Sequence, residues 1–276
     1  MDWSLAHSLL FGVISGFAEF LPVSAEAHQI LFGVFTGAGS EIAGFRLACR
    51  VGVLLALLLS CRPQLQRIRR ERRLASVPPK RRKRQPDQQT MRDVRVLKTA
   101  CVPALLSLAA YPWLMGQMSR LWLVAILLAV NGLILYIPRL RRVGNKDSRH
   151  MSVLDAVFQG LGGAVGTVPG LSRLGCTTGA AQLIGADPQA GLELVLVMFV
   201  PILTVLTGID AYLAIVSSAL SIGYLLLYVV AAAAAAISAY FGIVLVRFLA
   251  VHEGFSVFSY YCWGAAMLIF ILYLMI

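Results

Sequence analysis

Glu19, Ser24, Glu26 and His28 stand within ten residues of one another, around Pro22, and Ser172 with Arg173 stands after a second proline, Pro169. A carboxylate can orient or deprotonate water, an imidazole can move a proton, and a guanidinium forks two oxygens of a phosphate at once. Ser24 and His28 are four apart and share a face if the segment after Pro22 is helical. Serine is a favoured N-cap, so Ser24 and Ser172 are each expected to start a helix. The N-terminus of a helix presents unpaired N–H groups and a positive dipole end, which suits an anion such as phosphate. The pattern predicts a phosphate site with Glu19, Glu26, His28 and Arg173 as the reacting set. Ser24, Ser172 and Arg173 would hold the phosphate.

The elements that must position these groups are two broken apolar helices. FGVISGFAEFLPVSAEAH (11–28) and FQGLGGAVGTVPGLSRLG (158–175) align with Phe11 on Phe158, Gly16 on Gly163 and Pro22 on Pro169. Gly/Pro-interrupted hydrophobic segments at matching places of two halves point to a binding site near the membrane midplane. Residues 4–35 and 152–186 each read as two short helical legs, a re-entrant hairpin that must be enclosed by other helices. Six apolar runs can enclose them, near 41–61, 99–116, 120–138, 189–210, 218–248 and 256–276, each about long enough to cross a ~30 Å core.

Composition agrees with this class. The 276 residues are 59% hydrophobic and 13% charged with a mean hydropathy of +0.79, too apolar for a soluble globule. The formal charge of +11 raises nucleic acid as a partner, but 14 of the 24 Lys and Arg fall in residues 62–98. That concentration reads as a topology signal, and no nucleic-acid partner is expected. Residues 139–149 add five more basic residues, two spans away. Both loops are therefore placed in the cytoplasm, with both termini and the first hairpin extracytoplasmic. Three spans lie between the hairpins, and an odd number inverts orientation. The prediction is one all-α polytopic membrane domain, 1–276, with inverted-topology repeats at 1–138 and 150–276.

Plainer readings apply to other residues. Residues 62–98, with PPKRRKRQPDQQ at their centre, are expected to be poorly ordered. Arg46 and Arg50 read first as interface anchors, with reach to a phosphate as the alternative, and Asn131 and Gln182 as interhelical hydrogen-bonders. The run Ala231–Ala236 suits close helix packing or mere helix filling. Five cysteines stand singly as small apolar residues. His7, His150 and His252 carry no motif. No cleaved signal peptide is expected. Glu19 and Arg173 have a structural alternative as a buried ion pair between the repeats.

EFLPVSAEAH and PGLSRLGCTTG resemble the two signature segments of the bacterial undecaprenyl-diphosphate phosphatases of the bacitracin-resistance (BacA/UppP) type. In this resemblance Glu19, Pro22, Ser24 and His28 match the first motif, and Pro169, Gly170, Ser172 and Arg173 the second. Thr177 matches a hydroxyl position that would contact phosphate. The resemblance implies hydrolysis of a polyprenyl diphosphate to the monophosphate lipid carrier in the bacterial inner membrane, with Mg or Ca as cofactor. Several positions depart from the family pattern. Ser15 stands for an acid or amide, Ala25 and Leu174 for serines, Glu26 for threonine, and Arg46 and Arg50 for an acid and an amide. These departures leave a non-hydrolytic polyprenyl-phosphate binder or flippase as the alternative.

Overall fold

The computed structural model describes residues 3–39, 41–117, 120–140, 143–252 and 254–275. Among them the chain is helical, with one isolated β-bridge, Lys146 to Ala186. The first broken segment is α1 (Leu5–Phe20) and α2 (Ala25–Thr36), and α3 (Ile42–Ser60) follows. Next come α4 (Arg62–Ser76), α5 (Gln88–Ser107), α6 (Tyr111–Gly116) and α7 (Leu121–Tyr136). The second broken segment is α8 (Val153–Val165) and α9 (Arg173–Leu183), followed by α10 (Pro188–Val216), α11 (Leu225–Val251) and α12 (Val257–Met275).

Six helical stretches are long and apolar enough to cross a membrane, at Ile42–Ser60, Gln88–Gly116, Leu121–Leu140, Pro188–Val216, Ile222–Val251 and Val257–Met275. They fall on the six apolar runs of the sequence. The second is longer than its run because helix continues back through the end of the basic segment. The two broken segments are helix–break–helix pairs, as re-entrant hairpins require.

Packing follows a consistent exchange of elements. The first leg α1 lies on α11, and α8, its counterpart, lies on α5; α3 meets α10, and α7 meets α12. The α1–α11 seam shows why these helices can approach so closely. A Cβ at Gly12 would overlap the Ala231 carbonyl, and one at Gly16 would overlap Ser238 Oγ and the Ala235 carbonyl. On α3, a Cβ at Gly52 would overlap the Ala232 carbonyl. The alanine run is thus a contact surface for two helices, the use of small residues expected where lipid provides no hydrophobic drive for helix association.

The basic segment corrects the expectation of poor order. It folds as α4, a short 3-10 turn at Pro79–Arg81, and the start of α5. Glu71 organises it from a buried position. Its Oε1 accepts from Arg84 at 2.5 Å and Arg70 at 3.1 Å, and its Oε2 from the Asp87 backbone N–H at 3.0 Å. Arg82 donates to the Val77 and Ala75 carbonyls, Asp87 caps α5, and Arg67 pairs with Asp93 across α4 and α5 at 2.8 Å. Net composition predicts disorder because it counts charges without their pairing; here the three acids of the segment each hold arginines or a helix end.

Two outcomes are expected. Gly16→Leu should cost at least about 2 kcal/mol by overpacking, lowering the melting temperature in detergent. Gly264→Ala, inside α12 with nothing within 4 Å of its new Cβ, should not lower it and should raise it slightly. The Arg84 and Asp87 N–H hydrogen bonds hold the Glu71 carboxyl down from 4.5 to about 2. A depressed carboxylate contributes stability that is complete above its unfolded value and lost as pH falls toward the folded one. Protease cleavage within residues 77–87 should therefore rise between pH 4.5 and pH 2, and Glu71→Gln should show the same cleavage at neutral pH.

Candidate active site

The site forms where the two breaks touch. After α1, the chain turns through Leu21, Pro22 and Val23 to Ser24, whose φ of 66° is uncommon for a residue with a side chain. Such backbone persists only where its surroundings hold it, and it concentrates at functional sites. Ser24 Oγ is held twice, accepting from the Ala27 N–H that it caps at 3.3 Å and from the Gly170 N–H of the other break at 3.1 Å. Gly170 has a φ of 103°, which only glycine adopts freely, and a Cβ there would press on Leu127.

The second break, residues 166–172, returns the contact. Ser172 Oγ caps α9 through the Gly175 N–H and reaches the Leu21 carbonyl at 3.4 Å. Asn131 of α7 ties both breaks at once. Its Nδ2 donates to the Pro22 carbonyl at 3.0 Å and its Oδ1 accepts from the Ser172 N–H at 2.8 Å. Asn131 is therefore an interhelical hydrogen-bonder, and both serines are helix caps, as the sequence suggests.

Above this junction the first turns of α2 and α9 face each other, and four charged side chains close a ring. Arg173 Nη1 donates to Glu19 Oε1 in a short bond, and Arg173 Nη2 donates to Glu26 Oε1 at 2.6 Å. Arg50 of α3 completes the ring, donating from Nη1 to Glu19 Oε2 at 2.8 Å and from Nη2 to Glu26 Oε1 at 3.4 Å. Outside it, Arg50 Nε donates to Asp210 Oδ2 of α10 at 3.0 Å, and Nη2 lies 3.3 Å from the hydroxyl of Tyr111. None of these residues is more than 4% exposed. Two guanidinium groups and three carboxylates thus sit in the interior with a net charge of −1 when all are ionised. Removing one partner from such a network leaves an uncompensated buried charge, typically about 3–5 kcal/mol.

Glu19, Glu26 and Arg173 therefore converge, and Arg50 joins them. The interface-anchor reading of Arg50 is overturned: it lies in the ninth position of its span and is 3% exposed. Arg46 is partly buried, with its Nε lacking a partner. Asp210 and Tyr111 escaped sequence reasoning altogether. A lone acid at the end of the apolar run 189–210 is the available signal for Asp210. Nothing in the sequence distinguishes Tyr111 from other interfacial tyrosines.

His28 stands apart from the ring. It does share a face with Ser24, donating from Nδ1 to the Ser24 carbonyl at 2.8 Å, but its Nε2 meets the Tyr261 hydroxyl at 2.6 Å. Glu26 and His28 are two apart on a helix, which directs them to different sides. Thr177 is fully buried and donates to the Arg173 carbonyl at 2.7 Å, so its hydroxyl proton serves the helix.

The donor set gives little to a divalent cation as it stands. Glu19 and Glu26 are each shared between two guanidinium groups, and among the described residues no three His, Cys, Asp or Glu gather as a metal site. What the ring does offer is two adjacent guanidinium groups, bridged by anions, at the N-termini of two helices.

The family model described as bacitracin resistance protein BacA matches residues 8–268. An undecaprenyl-diphosphatase of Nocardioides sp. is 29% identical over 201 residues, covering 71% of this chain and 70% of the relative. Undecaprenyl-diphosphatase 1 of Halalkalibacterium halodurans is 26% identical over 272 residues, covering 97% and 96%, and an undecaprenyl-diphosphatase of Methanobrevibacter smithii is 26% identical, covering 96% of each. With nearly its whole length matched, the chain belongs to the BacA family.

Proposed function

We propose that this protein is an integral membrane phosphatase that hydrolyses undecaprenyl or a related polyprenyl diphosphate to the monophosphate lipid carrier and inorganic phosphate, serving cell-wall glycan synthesis. The observation that carries the reading is the Arg173–Glu19–Arg50–Glu26 ring at the meeting of two helix N-termini, in a chain of the BacA family. The proposal includes a bacterial plasma membrane location, the basic loops 62–98 and 139–149 on the cytoplasmic side, and access from the extracytoplasmic leaflet. It also treats residues 1–138 and 150–276 as inverted repeats, a reading supported by the exchange that sets α1 on α11 and α8 on α5.

In this mechanism the terminal phosphate takes the place of a carboxylate on Arg173. The guanidinium and the N-termini of α2 and α9 then stabilise charge growing on its oxygens, the dominant contribution in phosphoryl transfer. Ala25 offers no hydroxyl, and Ser24 Oγ already accepts two backbone N–H groups. Water is therefore the nucleophile. Its oxygen bonds to the terminal phosphorus, its proton passes to the released Glu19 or Glu26, and the bond to the bridging oxygen breaks with its electron pair leaving on the lipid monophosphate. His28, bonded to the Ser24 carbonyl and the Tyr261 hydroxyl and not to the ring, takes no step in this mechanism.

The engagement of all four Nη groups of Arg50 and Arg173 by internal glutamates favours a second reading, a polyprenyl-phosphate binder or flippase that exchanges anions without cleaving them. One assay separates the two. Purified protein is given a polyprenyl diphosphate with and without magnesium or calcium, and released phosphate is measured beside Arg173→Ala. The hydrolase reading expects turnover that falls at least about 100-fold in that variant; no release above the variant under any condition overturns it. The simultaneous change Glu19→Gln with Glu26→Gln should lower turnover by about 100-fold or more, the scale of a lost general base. Unchanged turnover would remove the carboxylates from the chemistry.

A further inference from the structure

We propose that Arg50 is a second phosphate-binding residue, held in place by Asp210, and that the pair makes the site select two linked phosphoryl groups over one. This deepens the reading above and rests on the site being one for phosphoanhydrides. The chain's own geometry supplies the reasons.

The first is how the two carboxylates sit. Glu19 places one oxygen on each arginine, Oε1 toward Arg173 and Oε2 toward Arg50, and Glu26 Oε1 touches both. Each carboxylate is thus an anion bridging two guanidinium groups. A phosphoryl group carries non-bridging oxygens at nearly the spacing of a carboxylate and pairs with guanidinium in the same forked manner. Two anionic places between two arginines therefore match two phosphoryl groups. A site holding Arg173 alone would match one.

The second reason is what remains when the glutamates leave. They belong to α1 and α2, the legs of the first break, whereas the other partners of Arg50 do not. Asp210 comes from α10 and Tyr111 from α6, and Asp210 Oδ2 takes the Nε of Arg50 at 3.0 Å. With Nε occupied, both Nη groups keep facing the ring after the carboxylates are displaced. On the other side, Arg173 Nε is buried without a partner and is free for a further oxygen. Burial adds specificity: with Arg50 and Asp210 at 3% and 2% exposed, neither can turn to solvent to escape a mismatched ligand.

The third reason is charge. Exchanging Arg50 and Asp210 for neutral residues together removes one positive and one negative group, so the buried network of ring and Asp210 keeps its net −1. A protein needing only a structural cation here would be served by any residue that preserves that balance. A forked guanidinium on a fixed carboxylate fits the added demand of recognising an anion.

The test measures affinity of the purified full chain in detergent for inorganic pyrophosphate and for orthophosphate, beside its melting temperature. Wild type is expected to bind pyrophosphate at least tenfold more tightly than orthophosphate. The charge-balanced variant Arg50→Gln with Asp210→Asn, which guards against simple unfolding, should lose at least tenfold in pyrophosphate affinity and less than threefold for orthophosphate. Arg50→Lys should recover only part, and Asp210→Asn alone should weaken pyrophosphate less than loss of Arg50 does. Equal losses for both ligands, full recovery by lysine, or a wild type without preference would each overturn the proposal. The hydrolase reading fails separately. Arg50-dependent pyrophosphate selectivity without lipid turnover leaves this inference standing, while lipid turnover with selectivity indifferent to Arg50 leaves only the hydrolase.

Discussion

The structure depends on one constraint: backbone polar groups freed by a helix break deep in an apolar protein must find partners inside the protein. Each unpaired group costs several kcal/mol in hydrocarbon. This chain meets the requirement by making two breaks and pressing them together. The Gly170 N–H goes to Ser24, the Leu21 carbonyl takes Ser172, and Asn131 bonds to the backbone of both. The close seams of α1 and α3 on α11 follow from the same need, since an enclosed break requires helices near enough to exclude lipid. A site lined by two helix N-termini is then a by-product of how the breaks are satisfied.

The ionic ring adds a second cost that the fold must absorb. Four arms of two arginines, held by two glutamates and backed by Asp210 and Tyr111, draw on α1, α2, α3, α6, α9 and α10. Desolvating such charges is repaid only if their geometry and hydrogen bonds are close to complete. Most donors and acceptors here are paired, and the exceptions, Arg173 Nε and Asp210 Oδ1, sit at the edges of the ring. A buried cluster with spare hydrogen-bonding capacity is suited to exchanging one anion for another.

Much of this was legible before any coordinates. The aligned glycines and prolines locate both breaks, serine capping preferences place the starts of α2 and α9, and hydropathy finds the six spans. Glu19, Glu26 and Arg173 could be brought together because the repeat pattern puts both breaks at one depth. Arg50 could not, because a span says nothing about which side of its helix faces inward, and an arginine near a span end has a plausible place at the interface. Asp210 is 160 residues from its partner, with no local pattern linking them. The order of residues 62–98 was hidden for a related reason: Glu71 acts through three specific bonds, and composition averages them away.

Asn131 also constrains the order in which the protein can be made. Its bond to the Pro22 carbonyl spans 109 residues, and the bond from Gly170 to Ser24 spans 146. A ribosome delivers the first break to the membrane long before either partner has been synthesised. Until then its free carbonyl and strained serine have only water or the insertion machinery to satisfy them. The bonds that satisfy the first break are therefore completed only after the second has been synthesised. Biogenesis of the two halves is in this sense a single event, completed only when the later break docks.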